Sequence, residues 1–262
     1  MARPVRTALT IAGSDSGGGA GIQADLKSFA SVGVHGTSVI TCVTAQNTRS
    51  VDSIFPIPVA EIRKQIRAVL GDFEVRAAKT GMLFSAEIVR VVGRELRGAE
   101  FPLVVDPVMV ATVGARLEQA DFAGAMVDHL LGLAALVTPN RFEAERLSGI
   151  RIANVDSMEA AARAILRLGP GAVLVKGGHT KGPLVDVFYD GRRMRRLRGR
   201  RYAKSLHGAG CTLAASTAAY LALGRPLLEA VESARRKVAI GFRESYRAGH
   251  GVEIINSHAV PD

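Results

Sequence analysis

Ser157-Met-Glu-Ala-Ala-Ala-Arg-Ala-Ile-Leu-Arg-Leu168, then Gly169-Pro-Gly171, then Ala172-Val-Leu-Val-Lys176-Gly-Gly178, reads as a helix, a break and a short apolar strand. Ser157 is the expected cap, with Glu159 in the first turn. The same unit recurs outward in both directions. Val59 to Leu70 carries Ile62, Ile66, Val69 and Leu70 at helical spacing and precedes a short strand at Ala77 to Gly81. A helix over Ala86 to Leu96 precedes the strand Leu103-Val-Val-Asp106, and one over Phe122 to Leu131 precedes Leu136-Val-Thr138. Upstream lie a strand closing at Leu9-Thr-Ile11, a helix from Ile22 to Val32 and a strand from Ser38 to Ala45. Downstream, helices are expected near Thr212 to Leu223 and from Pro226 to Tyr246, with Pro226 in the first turn. This alternation predicts an α/β fold with a mostly parallel central sheet and helices on both faces.

In such sheets ligands bind beyond the carboxyl ends of the strands. Here those ends carry Gly13 with Asp15, Gln46, Thr80 with Met82, Asp106, Asn140 with Glu143, and Lys176 with His179. Polar groups and glycines therefore collect where this architecture places a site.

The chain has 262 residues, nearly half of them apolar, which suits one domain spanning 1–262 with a large core. No run is apolar for the roughly 20 residues a membrane helix needs, and Met1 to Arg6 is followed by no leader-like apolar segment. A cytoplasmic enzyme is expected. Cys42 and Cys211 are too few for a disulfide framework and lack zinc spacing. The net charge of +10 is concentrated between Gly191 and Lys204, which hold seven arginines and one lysine. Tyr202 is the one aromatic residue among them, so a solvated hairpin from Val185–Tyr189, turning at Asp190-Gly191 and returning toward Tyr202, is favoured over a nucleic-acid arm.

Gly13-Ser-Asp-Ser-Gly-Gly-Gly-Ala-Gly21 could offer backbone N–H groups to an anion, or could be a tight turn. Gly19, Gly21 and Ala24 match a dinucleotide fingerprint, but no acidic residue follows between Lys27 and Val51, and the chain has no P-loop. Lys204-Ser-Leu-His-Gly-Ala-Gly-Cys-Thr-Leu-Ala-Ala215 runs from small residues into a helix, whose free N–H groups would suit a phosphoryl group in flight. Cys211 stands at that helix start, where a thiol's pKa tends to fall. Asn140 and Glu143 can serve as a capping box, and both can also reach a magnesium shell.

Together these residues resemble the hydroxymethylpyrimidine/phosphomethylpyrimidine kinases, a branch of the ribokinase superfamily. Nine segments match in the family's order: Ala8–Asp15, Gly18–Lys27, Ser38–Thr41, Ala45–Thr48, Lys79–Met82, Val105–Met109, Thr138–Asn140 with Glu143, Lys176–His179 and His207–Leu213. The resemblance implies a ribokinase-like three-layer α/β/α sandwich and ATP-dependent phosphorylation of a hydroxymethylpyrimidine and of its monophosphate. It implies Gly13, Ala20, Asp25, Gln46, Met82 and Val108 as substrate-binding residues, with Asp25 and Gln46 bonding the ring and Met82 and Val108 packing it. Asp106, Asn140, Glu143 and Lys176 would meet Mg-ATP, with Asp106 and Glu143 as candidate Mg²⁺ ligands. Gly208, Ala209, Gly210 and Cys211 would form the anion hole, and Cys211 would act as the base. A homodimer is also implied, and from the composition no nucleic-acid or membrane partner is expected.

Three segments depart from the family's pattern. Asp15-Ser16-Gly17 replaces Asp-Pro-Ser, Ala209 replaces a common threonine, and Gly249 to Ile255 follows the family's ending only loosely. A pyridoxine/pyridoxal kinase is the nearest alternative, since its ring carries the same hydroxymethyl arm. A non-catalytic pyrimidine-binding regulator is the alternative of another class.

Overall fold

The computed structural model describes residues 5–109, 121–179 and 182–260. Nine strands form one sheet in the order β3-β2-β1-β4-β5-β6-β7-β8-β9. They are β1 (Thr7–Asp15), β2 (His35–Gln46), β3 (Val51–Pro56), β4 (Val75–Thr80), β5 (Leu103–Val105), β6 (Leu136–Val137), β7 (Val173–Val175), β8 (Leu184–Tyr189) and β9 (Met194–Gly199). The six strands from β2 to β7 pair in parallel, and β3, β8 and β9 extend the two ends with antiparallel pairs.

Alternate strand residues face opposite layers. Leu9, Ile11, Ala78, Leu103, Val105, Val137 and Val173 pack with α2 (Val59–Asp72), α3 (Ala86–Glu95), α4 (Phe122–His129), α5 (Arg141–Ser148) and α6 (Val155–Leu166). Ala8, Ala77, Val104, Leu136 and Leu174 pack with α1 (Gly21–Ala30), α7 (Ala209–Ala222) and α8 (Leu227–Arg243). Two buried faces explain why β5, β6 and β7 are apolar throughout rather than alternating. The result is the expected three-layer sandwich.

Several local expectations need correction. The helix expected to start at Ser157 begins two residues earlier and is capped by Asn154. Ser157 sits at its third position, and the two exchange side-chain-to-backbone bonds of 2.9 and 3.0 Å. Pro226 caps α8 rather than entering its first turn. The hairpin turn spans Asp190 to Arg193, with the Asp190 carboxylate accepting both N–H groups of Arg192 and Arg193, and β9 ends before Tyr202.

The segment after α8 returns to the site. Ile254 bridges His207, with the His207 N–H donating to Glu253 and the Ile255 N–H donating back to His207. Lys237, buried in α8, donates to the carbonyls of Ser257 and Ala259 at 2.8 and 2.6 Å. Burial pulls its pKa down to about 8, against the opposing charge of Glu244.

Candidate active site

A cavity of about 1180 Å³ runs along the carboxyl ends of β1, β2, β4, β5, β6 and β7, past the N-terminus of α7, to the groove between β9 and α8. Gly13, Ala20, Gln46, Met82, Val108, Asp106, Asn140, Glu143, Lys176 and Gly208 to Cys211 all border it. The structure thus brings together every expected site residue but one.

The exception is Asp25. Its side chain is fully buried, and its Oδ2 accepts from Lys79 Nζ at 2.8 Å and from the Thr10 hydroxyl at 2.6 Å. Lys79 borders the cavity and Asp25 does not. In the structure this carboxylate is the counter-ion of a buried lysine. Burial pushes Asp25 up while Lys79 pulls it down. For Lys79, burial is outweighed by the charges around it, led by Asp25, so its ammonium is retained.

At the phosphate end three charged groups converge. Lys176 Nζ donates to Asp106 Oδ1 at 2.8 Å and lies 4.0 Å from Glu143 Oε2, and Thr138 donates to the same Asp106 oxygen at 3.1 Å. The capping box at α5 holds Glu143 in place: its carboxylate accepts from the Asn140 N–H at 2.7 Å, and Asn140 accepts from the Glu143 N–H at 3.0 Å. Burial pushes Glu143 up to about 7, with Lys176 opposing and Asp106 assisting the rise. Burial works against the Lys176 charge, but Asp106 and Glu143 overcome it and raise its pKa.

Gly210, in the first turn of α7, faces this group. A Cβ there would lie 3.5 Å from Lys176 Nζ and 3.6 Å from Asp106 Oδ2. The missing side chain leaves a gap where the lysine, a carboxylate oxygen and the helix N-terminus meet. Among the described residues no three His, Cys, Asp or Glu side chains cluster to hold a metal. Magnesium needs fewer, because one or two carboxylates plus substrate phosphates and water complete its shell. Asp106 and Glu143 fit that requirement.

Cys211 departs from expectation in its acidity. Burial pushes the thiol up to about 11, with Lys79 opposing and Asp25 and Asp106 adding to the rise, and the Gly21 N–H bonds the sulfur. The helix-start effect expected to lower it is therefore outweighed by desolvation.

The glycine loop is a turn built on Asp15, not an anion cradle. The Asp15 carboxylate accepts the N–H groups of Gly17, Gly19 and Ala20 at 2.8 to 3.0 Å, and His207 Nε2 lies 2.8 Å away. Burial would raise Asp15, but the His207 contact and these N–H groups hold its carboxyl below the ordinary range. Gly208 has φ +86°, and a Cβ on it would sit 1.9 Å from the Gly19 carbonyl, so the two loops touch through bare backbone. The Gln46 amide lies 3.2 Å from His207 Nε2 and 3.3 Å from Thr44 Oγ1.

Half of the basic strip is occupied. Arg196 pairs with Asp156 and Glu159 on α6, Arg200 stacks on Tyr202, and Lys204 pairs with Glu253. Arg201 donates to the carbonyls of Gly177, Gly178 and Gly182 and so latches the turn after Lys176. Sequence reasoning gave Arg201 and His207 no role, because their partners are remote in sequence, and marked Asp15 only as a strand end.

A lysine, two carboxylates and a helix N-terminus around one gap suit a polyphosphate, and Met82 and Val108 offer an apolar slot beside them. Fold and site together define a phosphotransferase acting on small molecules. Residues 15–256 match the sequence profile of the phosphomethylpyrimidine kinases, and the chain belongs to that family. It is 48% identical over 254 residues to the hydroxymethylpyrimidine/phosphomethylpyrimidine kinase of Synechococcus elongatus, covering 96% of each. The pyridoxal kinase from Staphylococcus aureus, solved with pyridoxal, superposes with a TM-score of 0.91 at 36% identity, over 98% of this chain and 95% of that one. The phosphomethylpyrimidine kinase of Clostridium difficile 630 superposes with a TM-score of 0.81 at 42% identity, over 89% and 97%.

Proposed function

We propose that the chain phosphorylates 4-amino-5-hydroxymethyl-2-methylpyrimidine, and then its monophosphate, from Mg-ATP, in thiamine biosynthesis. The observation that carries this reading is one continuous cavity lined by the apolar Met82 and Val108, the amide of Gln46 and, at its other end, Lys176 with Asp106 and Glu143. The family membership and the name of the Synechococcus relative support it.

Lys176 and the N-terminus of α7 would hold the transferring phosphate, placing positive charge where negative charge develops. Asp106 and Glu143 would hold the magnesium, which would neutralise charge between adjacent phosphates. Cys211 would take the hydroxymethyl proton in the first step. A monophosphate oxygen needs no such help, since its second pKa is about 6. Glycines at 208 and 210 keep side chains out of the path of transfer.

The same reading includes a cytoplasmic location and a homodimer. Val43 and Phe55, exposed and opposite each other across β2 and β3, support an association surface, which light scattering tests. Pyridoxal is the second substrate to be tried, because the Staphylococcus aureus relative binds it. Initial rates with Mg-ATP and each of the pyrimidine alcohol, its monophosphate and pyridoxal test the proposal. Turnover of pyridoxal alone would overturn it in favour of a pyridoxal kinase. No turnover of any alcohol would leave a binding protein.

A further inference from the structure

Asp15, Thr44 with Gln46, and His207 come from three separate stretches and form one polar string on the ring side of the cavity. An ionised carboxylate only accepts, and Asp15 is held ionised by His207 and three backbone N–H groups. The proton in its 2.8 Å contact therefore sits on His207 Nε2, in the neutral Nε2–H ring and in the imidazolium alike. That nitrogen cannot accept a bond. The Gln46 atom 3.2 Å from it must then be the amide oxygen.

The other end of the amide gives the same answer. The Thr44 hydroxyl has one proton, and it goes to the Ser14 carbonyl at 3.0 Å. The Gln46 atom 3.3 Å from Thr44 Oγ1 must therefore be a donor, the amide nitrogen. A half-turn of the amide exchanges its two ends. The structure places the nitrogen toward His207 and the oxygen toward Thr44, where both contacts fail; the half-turn satisfies both.

We propose that the Asp15–His207 pair is a positioning device for substrate specificity, which locks Gln46 Oε1 toward His207 and turns its NH₂ toward Thr44 and the cavity. Gln46 then reads the bound ring as a donor. The device selects a heteroaromatic alcohol with an acceptor on the edge facing Gln46, an unprotonated ring nitrogen or an oxyanion, over one presenting C–H or N–H there. The substrate part rests on the function proposed above; the amide orientation does not.

Two measurements test the two parts separately. In ¹⁵N-edited spectra of the ligand-free protein, the Gln46 NH₂ pair, assigned by its loss in Gln46→Glu, should show NOEs to the Thr44 methyl group. NOEs to the carbon-bound ring protons of His207 in their place would overturn the orientation. In kinetics, the wild type should favour the pyrimidine over a carba-analogue lacking the facing ring nitrogen by about tenfold. Correctly folded His207→Leu should lose that preference while its KM for ATP stays within about twofold of wild type. His207→Gln, which keeps a donor toward Asp15, should restore it. A folded His207→Leu that discriminates as wild type does would overturn the device. If the wild type turns over no pyrimidine alcohol, the functional reading falls, and the NOE result still decides the amide.

Discussion

Removing the charge of Lys79 while leaving Asp25 in place should be among the most damaging single changes in the molecule. Both side chains are fully buried and 2.8 Å apart. In Lys79→Met, Asp25 Oδ2 would retain only the Thr10 hydroxyl, and Asp25 Oδ1 already has no hydrogen-bond partner among the described residues. Stranding one member of a buried pair costs about 3–5 kcal/mol. At about 2–4 °C per kcal/mol for a chain approaching this size, the melting temperature should fall by roughly 6–20 °C. Burial would then act on Asp25 unopposed and raise it further above its ordinary value. Between the ordinary and the raised value the folded variant takes up a proton that the unfolded chain does not. Its stability is therefore lost as pH rises through that window, and the deficit against wild type should shrink as pH falls from 8 to 5. Lys79→Met/Asp25→Asn removes both charges and should recover most of the loss, since burying no charge is often neutral or better. Circular dichroism at 222 nm under heat and urea is the appropriate readout, because the chain has no tryptophan. A Lys79→Met cost below about 1 kcal/mol, or additive costs in the double variant, would refute an ionised buried pair.

Three further outcomes are expected. Cys211→Ala should slow alcohol phosphorylation about 100-fold and the monophosphate step far less, and equal losses would leave Cys211 a packing residue. Because burial sets its thiol at about 11, the alcohol step should keep accelerating through pH 9, which a pH–rate profile checks. Glu143, raised to about 7, is largely protonated at pH 6 and ionised at pH 8, so Mg-ATP should bind roughly tenfold tighter at pH 8 by calorimetry. As pH rises from 4.5 through 7 its ionisation should also remove up to about 3 kcal/mol of ligand-free stability, and Glu143→Gln should flatten both trends. Gly208→Ala must separate two backbones now in contact and adopt positive φ, so a loss of roughly 2 kcal/mol and at least about tenfold in kcat is expected.

The sequence made the frame legible because strands buried on both faces are apolar runs, and their polar terminators stand out against that background. Asp106 after Leu103-Val-Val105 and Lys176 after Val173-Leu-Val175 were visible for that reason. The capping box at Asn140 and Glu143 was legible because its spacing is local. Its twin at Asn154 and Ser157 was misplaced by three residues, with Ser157 taken for the cap, although the same three-residue spacing is present. Edge strand β3 was missed because Val51-Asp-Ser-Ile-Phe-Pro56 is short and half exposed. What the chain could not reveal is burial and remote pairing. Nothing near Cys211 announces that desolvation outweighs the helix start, and nothing near Asp25 announces Lys79, 54 positions away. His207 meets Asp15 across 192 positions.

The bare contact of Gly19 with Gly208 bears on how the enzyme comes to exist during synthesis. One wall of the proposed catalytic centre is made in the first tenth of the chain and the other in the last quarter. The second wall is held by residues 253–255, and Lys237 holds the chain just beyond them at Ser257 and Ala259. A growing polypeptide can fold much of the sheet and still have nowhere to stabilise a transferring phosphate. Catalytic competence should therefore appear abruptly, when that last segment docks, and a partly made chain would leave ATP untouched.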